Sequence, residues 1–227
     1  MTTFALIGAG PGLGLAAARS FGKAGHTVAL LARDRVHLDD LVAALDGDGI
    51  KARGYTADVL DADALTDALH AAAEDLGPIE ILQYSPVPRA DFMKPVLETT
   101  AADLDAPLAF SVKAPATCVN TVLPGMRTLG RGSLLFVNGG SAVRPKGTVA
   151  GTSIAFAGES AYAQILHTAL APENIHVAQL IVPGAISPDS ATCSPEKLAE
   201  LLYTLHTDRD GFRHYAEPMS DPQDGTP

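Results

Sequence analysis

Ala5-Leu6-Ile7-Gly8-Ala9-Gly10-Pro11-Gly12-Leu13-Gly14-Leu15-Ala16 is the stretch whose reading decides the fold. The apolar run Phe4–Ile7 leads in, glycines follow at alternate positions, and Gly14–Ala24 leads out at helical spacing. Strand, glycine turn and helix together open a βαβ unit. Gly8 suits the tight turn, Gly12 lets the backbone approach a bound group, and Gly14 lets the helix lie close on the strand. The first amides of a helix lack partners and carry partial positive charge, which suits phosphate oxygens. Gly8, Gly10, Gly12, Leu13 and Gly14 are therefore the candidate cradle for a dinucleotide.

Working outward, short apolar runs alternate with longer periodic segments. Thr27–Leu31, Ala52–Ala57, Ile79–Tyr84, Ser133–Asn138 and Ile175–Val182 read as strands. Val36–Leu45, a segment capped by Asp61 and ended by Gly77-Pro78, Thr152–Ala171, and a segment from Ser194-Pro195 to His206 read as helices. A long helix over 103–129 contains Pro107, Pro115 and Pro124, which predict kinks or breaks. Alternating strands and helices imply a Rossmann-like doubly wound parallel sheet with helices on both faces. The expected organisation is one dinucleotide-binding domain over residues 1–227, with Asp221–Pro227 frayed. Thr207–Glu217 is polar and predicts no final apolar strand.

The adenosine end is read nineteen residues past Gly14, where the second strand ends in Ala32-Arg33-Asp34. A carboxylate at the strand end would grip a ribose 2′-hydroxyl; an arginine suits a 2′-phosphate. Arg33 therefore favours NADP(H), with NAD(H) the lesser alternative. Asp34 can pair with Arg33 or contact the ribose itself.

The 227 residues carry a formal net charge of −10 and are 47% apolar, which excludes a disordered chain. The negative charge argues against nucleic acid or anionic membrane as partners. No apolar run reaches the roughly 18–20 residues of a membrane span. Cys118 and Cys193 are far apart and read as free thiols. The first strand starts almost at Met1 and leaves no room for a targeting segment, so the expected location is cytoplasmic. The cysteines and histidines show no metal spacing, and no metal site is expected.

With these pieces in place, residues 3–187 resemble the short-chain dehydrogenase/reductase family. The resemblance rests on Gly8-x-x-x-Gly12-Leu13-Gly14, Ala57-Asp58-Val59, Val122-Leu123-Pro124-Gly125-Met126 with Gly130–Ser133, and Val182-Pro183-Gly184-Ala185-Ile186. It implies that Asp58 and Val59 lie at the adenine, and Pro183, Gly184 and Ile186 beside the nicotinamide. Ser85 would stand at the end of the fourth strand. The family's chemistry uses Ser, Tyr and Lys with a helix Asn in support. Ser141 matches the Ser and Ser111 stands at the Asn position. Counting about thirteen residues on from Ser141 reaches Ile154 for the Tyr, and four more reach Gly158 for the Lys; the chain holds no Tyr-x-x-x-Lys pair.

Tyr84, at the end of a central strand, is the candidate replacement phenol, with a core aromatic as the plain alternative. Arg144 and Lys146 could meet an anionic substrate or stand as solvated loop charges. Three functions follow. One is an NADP(H)-dependent oxidoreductase with a non-standard active site, acting on a small carbonyl, imine or alcohol through Ser141 and Tyr84. The others are a non-redox isomerase, cyclase or dehydratase on the same scaffold, and an NADP-binding protein without turnover. The resemblance also implies a homodimer or homotetramer, with the central helix as the contact.

Overall fold

The computed structural model describes residues 1–219. The stretch expected to fray, Asp221–Pro227, lies outside the described residues. Seven strands form one sheet in the order β3-β2-β1-β4-β5-β6-β7: β1 (Thr3–Ile7), β2 (Thr27–Ala32), β3 (Ala52–Thr56), β4 (Ile79–Tyr84), β5 (Gly132–Gly139), β6 (Ile175–Val182) and β7 (Arg213–Tyr215). Every pairing is parallel. The helices are α1 (Leu13–Lys23), α2 (Arg35–Gly47), α3 (Ala62–Leu76), α4 (Asp105–Leu108), α5 (Ala114–Leu129), α6 (Ala150–Leu170) and α7 (Pro195–Asp208). This is the doubly wound sheet that the sequence predicts.

Alternation along the buried strands builds two cores. Phe4, Leu6, Val28, Leu30 and Ile81 face α1, α2 and α7, where Phe4 stacks on Phe21 with ring centroids 4.2 Å apart. Ala5, Ile7, Leu31, Leu82 and Tyr84 face α3, α5 and α6. The helix starts are those the sequence marks. Asp34 accepts from the amides of Val36 and His37, Asp61 from Ala64, and Ser194 from Lys197. Strand order reverses between β1 and β4, and the carboxyl ends of these strands open the crevice where ligands lie in such sheets.

The structure differs from expectation in two places. The central helix continues past Pro115 through a π-helical turn, which the sequence does not predict. A π-helical segment, Ala109–Lys113, joins α4 to α5, and the amide of Ala114 reaches back five residues to the carbonyl of Ala109. Pro115 has no N–H to give Ser111, so a normal α-turn would leave a gap there; the wider turn absorbs it. The second difference is β7. Residues 213–215 pair with β6 in register Gln179↔Arg213 and Ile181↔Tyr215. An edge strand needs no apolar run, and its polar sequence hides it from pattern reading.

Two loops form the rim of the crevice. The amide of Val96 donates to the carbonyl of Gly147 at 2.8 Å, and that of Ala150 to Lys94 at 2.9 Å. The segment after β4 is thereby tied to the segment after β5.

Candidate active site

The glycine turn stands where the sequence puts it. Gly8 has φ +87°, and its amide donates to Leu31 at the end of β2. A Cβ on Gly14 would lie 3.3 Å from Leu6, so the glycine sets how closely α1 rests on β1. α1 begins with no side-chain cap and no acid in its first turn, where the Leu15 amide already donates to Gly10 and those of Leu13 and Gly14 lie at the crevice. Cβ atoms on Gly10 and Gly12 would meet nothing within 4 Å, which is the open space of that crevice.

Two cavities meet at this turn and share Gly8, Gly10, Pro86 and Val87. The outer one, about 740 Å³, is lined by Arg33, Asp34, Arg35, His37, Ala57 and Val59 among others. Arg33 is exposed there, whereas Arg35 pairs with Asp39 at 2.9 Å. The carboxylate of Asp34 caps α2, accepting through Oδ1 from the amides of Val36 and His37. Asp58 does not line the outer cavity; its carboxylate accepts from the amide of Leu60 at 3.0 Å and shapes the turn that presents Val59.

The inner cavity, about 700 Å³, brings together Ser85, Asn138, Ser141, Lys146, Thr152 and Phe156 with Pro183, Gly184 and Ile186. Ser141 stands in a short 3-10 turn, Gly140–Ala142, directly after β5. Lys146 has an anchored backbone: its amide donates to Ser153 Oγ at 3.0 Å, and that hydroxyl donates back to its carbonyl at 3.2 Å.

Ile154 and Gly158 do not face this cavity. Ile154 is 43% exposed, and a Cβ on Gly158 would lie 3.0 Å from Val112, so Gly158 lets α6 pack on the π segment. The residues of α6 that face the cleft, one turn apart, are Thr152 and Phe156. Counting forward from Ser141 crosses a loop of variable length and arrives out of phase. Counting back along α6 from β6, through an uninterrupted helix, would have found the pair. Phe156 packs against Ala142 and Ile181, with Val143 and Met219 at the edge.

Tyr84 is also corrected. It is 2% exposed, belongs to the core on the α5 side, and donates its hydroxyl to the carbonyl of Phe110. Burial drives its pKa well above the ordinary value, with Glu159 adding to the shift. Strand alternation sends Tyr84 away from the crevice, so the structure does not bring it together with Ser141. Tyr84→Phe is expected to lower the unfolding free energy by about 1 kcal/mol and to leave cofactor affinity unchanged. Denaturant titration checks this, and lost cofactor binding with unchanged stability would contradict it.

The sequence reading also missed Glu159. It is 1% exposed on α6, and Oε1 has no hydrogen-bond partner among the described residues. Burial pushes its pKa up to about 8, while Asn138 and Ser111, the polar groups facing it, favour the ionised form. A lone acid on a mostly apolar helix face gives no sequence signal. Four further polar or aromatic residues have structural partners: Arg89 pairs with Asp91, His206 bonds Ser133, His167 meets the Val177 carbonyl, and Tyr162 packs on the core. Among the described residues no group of three or more His, Cys, Asp and Glu side chains could hold a metal, and no helix is long and apolar enough to cross a membrane.

A glycine turn at the switch point of a parallel sheet, with a cavity on either side, defines a Rossmann-like α/β domain. Residues 2–198 match the short-chain dehydrogenase family model, and the chain belongs to that family. Human dehydrogenase/reductase SDR family member 4 is 29% identical over 175 residues, which cover 77% of this chain and 62% of that protein. The chain thus spans less than two thirds of that relative's length. A short-chain dehydrogenase from Rhodopseudomonas palustris superposes with TM-score 0.84 at 26% identity, covering 96% of this chain and 99% of that one. A metagenomic short-chain oxidoreductase solved in complex with NADP superposes with TM-score 0.81 at 22% identity, covering 94% of each chain.

Proposed function

We propose that this chain is an NADP(H)-dependent oxidoreductase that acts on a small carbonyl, imine or alcohol in a cleft built without a Tyr–Lys pair. The observation that carries this reading is the pair of cavities joined at the glycine turn, with Arg33 in one and Ser141 in the other. The residues fit a dinucleotide. The uncapped start of α1 suits the diphosphate, and exposed Arg33 suits a 2′-phosphate through paired N–H donors. Ser85, Pro183, Gly184 and Ile186 wall the nicotinamide end. The metagenomic relative solved with NADP supports the same assignment. The bound dinucleotide would supply the hydride. The chain's own part is to orient the carbonyl, with the Ser141 hydroxyl donating to its oxygen and Thr152 beside it. Met93, Val149 and Phe156 keep that end apolar.

Titration with NADPH and NADH tests the reading. NADPH is expected to bind more tightly, and Arg33→Ala to weaken NADPH by about 10–100-fold while leaving NADH unchanged. Equal affinities, or an Arg33→Ala protein that binds NADPH as before, would remove the 2′-phosphate from the argument. Phe156, in the place of a cation on the cleft wall, favours a second reading: NADP(H) binding without turnover. Unchanged nicotinamide absorbance across a carbonyl and imine panel, with NADPH tightly bound, would select it.

A further inference from the structure

Among the described residues that line the inner cavity, one carries a charge: Lys146. No Asp or Glu stands with it there. Arg144, the other cation of the loop after β5, does not line the cavity and donates to the Met219 carbonyl at 3.4 Å. Two cations of the segment after β4 are already matched: Arg89 pairs with Asp91 at 2.9 Å, and Lys94 with Asp103 at 2.6 Å. Lys146 forms no ion pair with a carboxylate among the described residues. Asn138 is committed inward. Arg213 on β7 donates to Gln179 Oε1 at 3.0 Å, Gln179 Nε2 donates to Asn138 Oδ1 at 2.8 Å, and the Asn138 amide nitrogen is wholly buried.

Most surface lysines are solvated charges on mobile stems. Lys146 is exposed, but its backbone is fixed. Its amide donates to Ser153 Oγ at 3.0 Å, and its carbonyl accepts from the same hydroxyl at 3.2 Å and from the Val149 amide at 3.1 Å. The next carbonyl, that of Gly147, accepts from Val96 and ties the loop to the segment that carries Met93. A cation on a backbone held in this way loses less freedom when it pairs. The walls it shares are largely apolar, with Val87, Met93, Val149, Phe156 and Ile186. A few polar groups in an apolar cavity set which ligand it takes and how that ligand lies.

We propose that the inner cavity takes an oxo acid, whose carboxylate pairs with Lys146 while its carbonyl lies at Ser141. This names the substrate class within the oxidoreductase reading and rests on it. Lys146 is then a specificity residue that favours oxo acids over neutral ketones and aldehydes of the same shape. The apolar walls suit the methylene spacer between the two polar ends. On reduction the carbonyl carbon takes the hydride that the dinucleotide gives up, and its oxygen takes a proton from water. The carboxylate is unchanged, and the product is the hydroxy acid.

The test uses levulinate, its homologue longer by two methylenes, and the methyl ester of each, on protein with 13C-labelled methionine methyl groups. Met93 lines the cavity, so its methyl resonance reports binding there. In NADPH-loaded protein at least one acid is expected to shift this resonance and to bind about fivefold more tightly than its ester. The difference is expected to fade as salt is raised. Lys146→Gln is expected to erase it by weakening the acid alone, and Lys146→Arg to keep it. The side chain is exposed, so neither variant should disturb the fold. Esters that bind as tightly as both acids, or a difference that survives in Lys146→Gln, would overturn the proposal, and so would a Met93 resonance that no probe moves. Weakened NADPH binding in Lys146→Gln would put the lysine on the dinucleotide and overturn it too. Wild-type protein that binds no NADPH would count against the oxidoreductase reading, and the contrast of acid with ester in the free protein would still decide the role of Lys146.

Discussion

Gly8→Ala is expected to cost about 3 kcal/mol or more of stability and to abolish NADPH binding at micromolar concentrations. Two effects combine. Gly8 has φ +87°, a region that any side chain strains, and its new Cβ would lie 2.4 Å from Pro86 Cα and 2.6 Å from Pro86 N. Both targets are backbone and cannot swing aside. The neighbouring segments are also pinned, because the Ser85 amide donates to Ile7 at 3.1 Å and the Gly8 amide to Leu31 at 2.9 Å. Relief would have to open the junction of β1 with β4, the point on which both cavities depend. Gly12→Ala is the control. Its Cβ would meet nothing within 4 Å, so the fold should tolerate it while the methyl group intrudes on the cleft. Denaturant unfolding and NADPH titration on the two variants check the contrast. A Gly8→Ala protein of wild-type stability would mean that the turn is looser than described.

The double variant Thr152→Tyr/Phe156→Lys is expected to raise turnover by about 10²-fold. The two positions face the inner cavity one helical turn apart, so a phenol and an ammonium placed there would share the cleft with Ser141. Neither Thr152 nor Phe156 can supply a proton as a positioned phenol beside an ammonium can. The substitution carries a cost, since Phe156 packs on Ala142 and Ile181, and a lysine must send its charge outward past Met219 toward the crevice. Steady-state rates with NADPH and a panel of aldehydes and ketones give the answer. A stable variant that binds NADPH yet turns over no faster would show that the inner cavity does not hold a carbonyl at Ser141, and would favour binding without turnover.

How far the sequence could be read follows from what each feature depends on. The glycine turn, the caps at Asp34, Asp61 and Ser194, and strands such as Ile79–Tyr84 and Ile175–Val182 are set by nearby residues, and they lie where the sequence puts them. Arg33 and Ser141 each follow the end of a strand and line a cavity there. Tyr84 was misjudged because the end of a strand fixes position along the crevice but not facing, and period two turns this ring to the core. Ile154 and Gly158 were misjudged because the distance from Ser141 crosses a loop. The π-helical turn at Ala109–Lys113 depends on how one proline is absorbed, and β7 depends on an edge that only the finished sheet provides. Glu159 and the pinning of Asn138 depend on residues from β5, β6, α6 and β7 meeting in space, and no single window contains them.

The last of these has a bearing on synthesis. Arg213 belongs to the final described strand, yet it begins the sequence of bonds that decides, through Gln179, which way the buried Asn138 amide is turned. A nascent chain can therefore form its glycine turn and most of both cores before this buried amide has a settled direction. On a ribosome, the order within this buried network would be set only when β7 joins the strands already paired.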